Sequence, residues 1–181
     1  MIRLASSSQT RAMLLSDAGI EFIQEVKDFD EDSIIAHSPK NFVYQATSGK
    51  YEANLKAFGY EDYPLLVADT VVTSQGQILR KAKCVDDARN ILMTQSGNVT
   101  SIVTCLIYHS IEKKIIDISQ TDYIFDKFNL DDLDKYLESG EWRGKAGACM
   151  VEGFCKSYIK EVHGYESTAM GLSVEVLKRF I

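Results

Sequence analysis

Apolar residues recur along this chain in two rhythms, a short continuous or alternating run followed by a stretch with helical spacing. Residues 2–5 predict a strand that runs straight into "SSSQTR". From Thr10 the positions Arg11, Leu14, Leu15 and Ala18 share one helical face, with Ser8 as N-cap and Gly19 as stop. "IEFIQEV" predicts a second strand, and the acidic loop "DFDED" follows it. Pro39 opens a helix to about Phe58, whose apolar face carries Phe42, Ala46, Ala53 and Ala57 with Lys50 in register. "YPLLVADTVVTSQGQIL" predicts a buried strand, a tight turn at Gln75-Gly76 and a further strand. "VDDARNILMTQSG" reads as a capped helix ending at Gly97. "TSIVTCLIYHSIEKKIIDISQTDYIF" has two β-rich runs around a charged turn and predicts a long hairpin. "NLDDLDKYLESG" is a helix capped by Asn129 and stopped by Gly140, "KSYIKEV" another strand, and "GLSVEVLKRFI" helical. Alternation of these elements predicts an α/β class with a mixed sheet.

Composition narrows the classes of function. The 181 residues suit one domain or two small lobes with a sizeable core. A hydrophobic share of 45% and a charged share of 25% are those of a globular chain, with no stretch long enough to span a membrane. A net charge of −6 argues against a broad nucleic-acid or membrane surface, but a few converging cations can still bind a small anion. Cysteines 84, 105, 149 and 155 form no C-x-x-C and no zinc pair; with no secretion signal in "MIRLASSSQTR", they predict reduced thiols in a cytoplasm. His37, His109 and His163 have no motif spacing and predict surface or satisfied core positions.

Four features resist explanation by packing alone. "SSSQTR" is a strand-to-helix turn rich in small hydroxyls, where free N–H groups and the helix dipole attract anions and Arg11 adds a bidentate donor. Serines also cap helices routinely, and the pattern alone favours that reading, with Arg11 solvated. Lys50 interrupts an apolar stripe beside Gly49 and either snorkels to water or meets an anion. Lys81 sits in "LRKAK" just after a strand, a segment that taken alone reads as an exposed loop. Asp69 stands amid the apolar run "LLVADTVVT", where an uncompensated carboxylate costs several kcal/mol. It can bond neighbouring backbone, or it can orient and deprotonate a water in a cleft. Three cations and one carboxylate on separate segments make a kit for holding a polyphosphate and attacking it with water.

The same residues resemble a known family. "LASSSQTRAMLL" is similar to the N-terminal "LAS-x-S-x-x-R-x-x-LL" of the Maf-type nucleotide pyrophosphatases, "FDED" to their acidic loop and "ADTVV" to their "ADT-x-V" segment. "LRKA", "ARNILMTQSGN", "GKAGACMVEG" and "GYESTAMGLS" resemble further family segments, in order and at family spacing over nearly the whole chain. Ala82 and Ser173 replace usual prolines, Cys149 replaces an aromatic, and Thr10 stands where other branches carry arginine or tryptophan.

The resemblance implies hydrolysis of a nucleoside triphosphate to the monophosphate and pyrophosphate, with a divalent cation (Mg²⁺, Mn²⁺ or Co²⁺) required. It implies residues 1–181 as a single Maf-like domain, an α/β fold with a mixed twisted sheet in two lobes around a central nucleotide cleft, often a homodimer. Position by position, Asp69 corresponds to the proton acceptor, and Ser6, Arg11, Lys50 and Lys81 to positions around the phosphates. Glu31 and Asp69 correspond to metal-holding positions, and Thr10, Thr70 and Glu152 to those that read the base. The last three disagree: Thr70 matches the pyrimidine branch and Glu152 the methyl-guanosine branch. An ionised carboxylate only accepts hydrogen bonds, which suits the N1–H and N2–H₂ edge of guanine. The expectation is a guanine-type or relaxed substrate range.

Two alternatives follow from the same residues. A non-catalytic nucleotide-binding regulator of cell division would lack a catalytic position, whereas here every matching polar position is filled. A house-cleaning pyrophosphatase of the inosine-triphosphate type would begin with a glycine-rich, lysine-bearing segment, which "LASSSQTR" is not.

Overall fold

Strands of 3–12 residues and helices follow one another in the order the apolar rhythm predicts, in a computed structural model that describes residues 1–30, 34–36 and 38–181. The strands are β1 (Ile2–Leu4), β2 (Phe22–Gln24), β3 (Leu65–Ser74), β4 (Gln77–Leu79), β5 (Val99–His109), β6 (Lys114–Phe125) and β7 (Ile159–His163). The helices are α1 (Gln9–Asp17), α2 (Pro39–Phe58), α3 (Val85–Gln95), α4 (Leu130–Ser139), α5 (Glu166–Ala169) and α6 (Val174–Leu177), with a 3₁₀ turn at Phe154–Tyr158. Among the described residues, seven strands form one mixed sheet in the order β2-β1-β3-β5-β6-β7, with β4 paired to β3. β1 pairs parallel with β2 and β3, whereas the β3–β4 and β6–β7 pairs are antiparallel. The α/β class with a mixed sheet is therefore as expected.

The chain divides into two compact units. One comprises Met1–Thr70, Val103–Gln120 and Tyr165–Ile181; the other comprises Val71–Ile102 and Thr121–Gly164. In the first, alternation along β3 splits the core in two. Leu66 and Ala68 pack with Leu4, Ala12, Leu15, Leu106 and Leu172, the side of α1. Leu65 and Val67 pack with Ala5, Tyr51 and Ile107, the side of α2. In the second unit an aromatic chain runs from Tyr123 and Phe125 through Phe128 to Phe154, which stacks on Tyr136. Burial pushes the Tyr136 phenol well above its ordinary pKa, and its hydroxyl donates to Ala148 O at 3.0 Å.

Local signals account for most boundaries. Ser8 caps α1 by accepting the Arg11 N–H, Ser38 caps α2 ahead of Pro39, and Asn129 caps α4. Both Gln75 and Gly76 have positive φ, the backbone of a tight hairpin turn. Four expectations are corrected. β2 is three residues long, because only Phe22–Gln24 finds partners on β1. The terminal helix is the single turn of α6, and Lys156–Tyr158 belong to the 3₁₀ turn rather than to β7. The buried face of α2 is Phe42, Val43, Ala46, Thr47, Tyr51 and Asn54, not one that includes Ala53 and Ala57. Thr47 and Asn54 are buried because their polar atoms are satisfied: Thr47 Oγ1 donates to Val43 O at 2.7 Å, and Asn54 binds Lys27 and Lys50 backbone.

The reading of four reduced thiols is corrected as well. Cys149 and Cys155 are joined as a disulfide, their Cα atoms 6.3 Å apart, while Cys84 is exposed and free and Cys105 buried and free. The turn that brings the pair together is closed by the Gly153 and Cys155 N–H groups donating to Met150 O. Burial pushes the Cys105 thiol up to about 11, so it stays protonated at neutral pH. Among the described residues, no helix is long and apolar enough to cross a membrane.

Candidate active site

Asp69 and Thr70 occupy consecutive positions on β3, and alternation sends them to opposite faces of the sheet. Asp69 shares its face with Leu65 and Val67 and meets α2, whereas Thr70 shares the face of Leu66 and Ala68 and meets α1. On the α2 face, Lys50 Nζ lies 3.1 Å from Asp69 Oδ1, with side chains 21% and 11% exposed. Lys50 thus does not snorkel; it stands at the helical spacing of Thr47 and Asn54 and meets the buried carboxylate. The same Oδ1 accepts the Thr70 N–H at 2.9 Å, so Asp69 bonds local backbone and a distant cation at once. The cost of burying this charge is offset by a cation and a hydrogen bond.

Gly49 precedes Lys50 because the ring of Phe29 lies where a side chain at residue 49 would stand. Asn54 completes the clasp on the segment after β2: its Oδ1 accepts the Lys27 N–H at 2.7 Å and its Nδ2 donates to Lys27 O at 3.0 Å. Glu31, the expected metal position farther along that loop, lies outside the described residues, as does His37.

On the α1 face Arg11 is held by acceptors from three segments. Its Nε donates to Gly171 O at 2.8 Å, Nη1 to Ser6 Oγ at 3.0 Å and Nη2 to Thr70 Oγ1 at 3.3 Å. Ser6 Oγ also accepts the Ser8 N–H, and Gln24 Nε2 of β2 donates to Ser6 O at 2.6 Å, pinning the turn that opens α1. The "SSSQTR" turn therefore orients Arg11 as well as capping a helix. Thr10 is half-buried in the first turn of α1. The structure thus joins Asp69 to Lys50 and Arg11 to Ser6 and Thr70, the two groups linked by one peptide of β3.

A family model described as Maf-like protein matches residues 1–181. The chain belongs to the Maf-like family. A nucleoside triphosphate pyrophosphatase of a Nitratiruptor species is 58% identical over 179 residues, covering 98% of this Maf-like chain and 96% of that protein. Proteins of the same name from Helicobacter pylori and Campylobacter jejuni are 38% and 36% identical. The first alignment covers 96% of this chain and 91% of its relative, the second 100% of each.

The second unit of the Maf-like chain carries the two remaining site positions. Lys81 is exposed after β4 and bridges backbone with Ala146, and Glu152 is exposed in the turn between the paired cysteines. Among the described residues, no group of three or more His, Cys, Asp or Glu gathers around a common point. One buried carboxylate fits an ion such as Mg²⁺, which keeps waters and takes further ligands from substrate phosphates. His109 is a satisfied side chain, bonded to Tyr51 and stacked on Tyr60, and burial lowers its pKa.

Sequence reasoning missed Gly171 and Thr104 as contributors. Gly171 has φ +107°, and a Cβ there would lie 3.4 Å from both Arg11 Nε and Thr70 Oγ1. Gly171→Ala is expected to destabilise the fold by about 1–3 kcal/mol through backbone strain, with a matching fall in the urea midpoint at unchanged slope.

Proposed function

We propose that this protein hydrolyses nucleoside triphosphates to the monophosphate and pyrophosphate. The observation that carries the reading is the adjacency on β3 of a buried, cation-paired carboxylate and the residue that holds Arg11. Arg11, beside the Ser6 turn and the N-terminus of α1, binds phosphate oxygens as a planar donor. Lys50 fixes the Asp69 carboxylate and adds positive charge where negative charge develops. Asp69 orients a water and accepts its proton as the water oxygen attacks the α-phosphorus; the bond from that phosphorus to the bridging oxygen breaks and pyrophosphate leaves. Lys81 and Glu152 take the phosphate and base roles of the corresponding family positions. A divalent cation held by Glu31, Asp69 and substrate phosphates would supply neutralisation of phosphate charge.

For the base, the reading is a guanine-type or relaxed range, resting on Glu152 as a pure acceptor. The test is pyrophosphate release from a panel of normal and modified nucleoside triphosphates with Mg²⁺, Mn²⁺ or Co²⁺. Pyrophosphate, rather than three single phosphates, is the expected product, with guanine-type substrates among those turned over. Preference for UTP and dTTP with guanine nucleotides untouched would refute the base assignment. Absence of pyrophosphate from every nucleotide would refute the activity.

A further inference from the structure

Residues 102–107 of β5 are all buried, and Thr104 is the one hydroxyl among them, with no exposed surface. A hydroxyl carries a single proton and two acceptor positions, so a chain of hydroxyls has a direction once one member is fixed. Thr104 Oγ1 lies 2.7 Å from Thr168 O, and a carbonyl can only accept. The Thr104 proton is thereby committed. Its 2.9 Å contact with Thr70 Oγ1 must then be donated by Thr70. With its own proton pointing inward, Thr70 turns lone pairs towards Arg11, whose Nη2 donates to it at 3.3 Å.

We infer that Thr104 is a positioning residue for phosphate binding: it fixes the hydrogen-bond polarity of Thr70, which in turn holds the Arg11 guanidinium in plane. The inference rests on the proposed role of Arg11 with phosphates and deepens it. Ser6 Oγ and Gly171 O hold the other two guanidinium nitrogens and cannot substitute, because each has its own N–H to accept. Without Thr104 the Thr70 hydroxyl is free to rotate its proton towards Arg11, opposing donor to donor. The guanidinium then loses a fixed acceptor, and the loss is felt in binding rather than in the chemistry at Asp69, which lies on the other face of β3.

The test compares Thr104→Val, which keeps shape and removes the hydroxyl, with Thr104→Ser, which restores it. Two readouts are taken: KM and kcat for a turned-over triphosphate, and calorimetric affinity for inorganic pyrophosphate, which needs no turnover. T104V is expected to raise KM and weaken pyrophosphate binding about tenfold, the scale of one hydrogen bond to a charged group, with kcat within about twofold. T104S is expected to return both to near the wild-type values. Thr70→Val should weaken binding similarly, and the double variant T70V/T104V no further, since both remove the same link. Unchanged pyrophosphate affinity in T104V, loss in T104S as large as in T104V, or additive losses in the double variant would each overturn the inference. Should T104V fail to fold, T104S and T70V decide: wild-type affinity in T70V overturns it. A wild-type protein that binds pyrophosphate but hydrolyses no nucleotide would refute the activity while leaving the Thr104 comparison readable.

Discussion

Asp69→Asn is expected to lower kcat for nucleotide hydrolysis by about 10³-fold, within the range typical of a lost general base. The substitution is nearly isosteric, and the amide oxygen still accepts the Thr70 N–H that Asp69 Oδ1 accepts at 2.9 Å. What disappears is the negative charge opposite Lys50 and the capacity to take a proton from water. Stability should fall by only about 1 kcal/mol, because the amide remains a hydrogen-bond acceptor for the ammonium. Thermal unfolding beside single-turnover kinetics separates the two effects. A D69N protein with wild-type melting and wild-type kcat would exclude Asp69 both as water activator and as metal ligand. The two roles place opposite demands on the carboxylate, since an oxygen bound tightly to a cation is a poor proton acceptor.

Lys50→Met is expected to lower kcat/KM by about 10²-fold through loss of a positioned cation. It should also destabilise the fold by about 1–3 kcal/mol, since Asp69 would remain largely buried without its ion partner. At this chain length that amounts to roughly 5 °C in melting temperature. The informative variant is the double one. K50M/D69N removes the unpaired charge that K50M leaves behind, so its melting temperature should recover towards wild type while activity does not. Recovery of stability without activity marks the pair as a chemical device rather than a structural bolt. If K50M alone melts as wild type and turns over at full rate, the ion pair serves neither purpose.

Much of the fold was legible because its signals are local. Ser8, Ser38 and Asn129 cap helices by bonds within three residues, and the Gln75-Gly76 turn is set by two adjacent φ angles. The buried face of α2 was misread because hydrophobicity is blind to satisfied polar groups. Thr47 and Asn54 are fully buried yet count as polar, whereas Ala57 counts as apolar and is exposed. The short β2 shows the converse, an apolar run longer than the partner it can pair with. The cysteine pairing escaped a search for C-x-x-C, since it spans six positions around a turn.

The site divides in the same way. The strand-to-helix turn that carries Ser6 and Arg11 was legible, although its pattern alone favoured a plain helix cap, and Asp69 stood out as a charge in an apolar run. That Lys50 meets Asp69 was not, since a lysine in a stripe gives no sign of its partner on another element. Thr104 was silent because threonine is an ordinary strand residue, and only its carbonyl acceptor 64 positions away gives its hydroxyl a direction. Gly171 opened a segment read as helical, and only its backbone oxygen, which accepts from Arg11 Nε, ties it to the site.

Odd- and even-numbered side chains of β3 answer to different helices, which gives the segment a parity that sequence changes must respect. A point substitution can be repaired by repacking, but one inserted residue between Asp69 and Thr70 would swap every later partner. The threonine would then be handed to the lysine's side and the arginine left facing a stranger. Reading-frame-preserving indels in this stretch should accordingly be far more damaging than any conservative exchange, and acid and guanidinium handling can drift separately provided the count between them stays fixed.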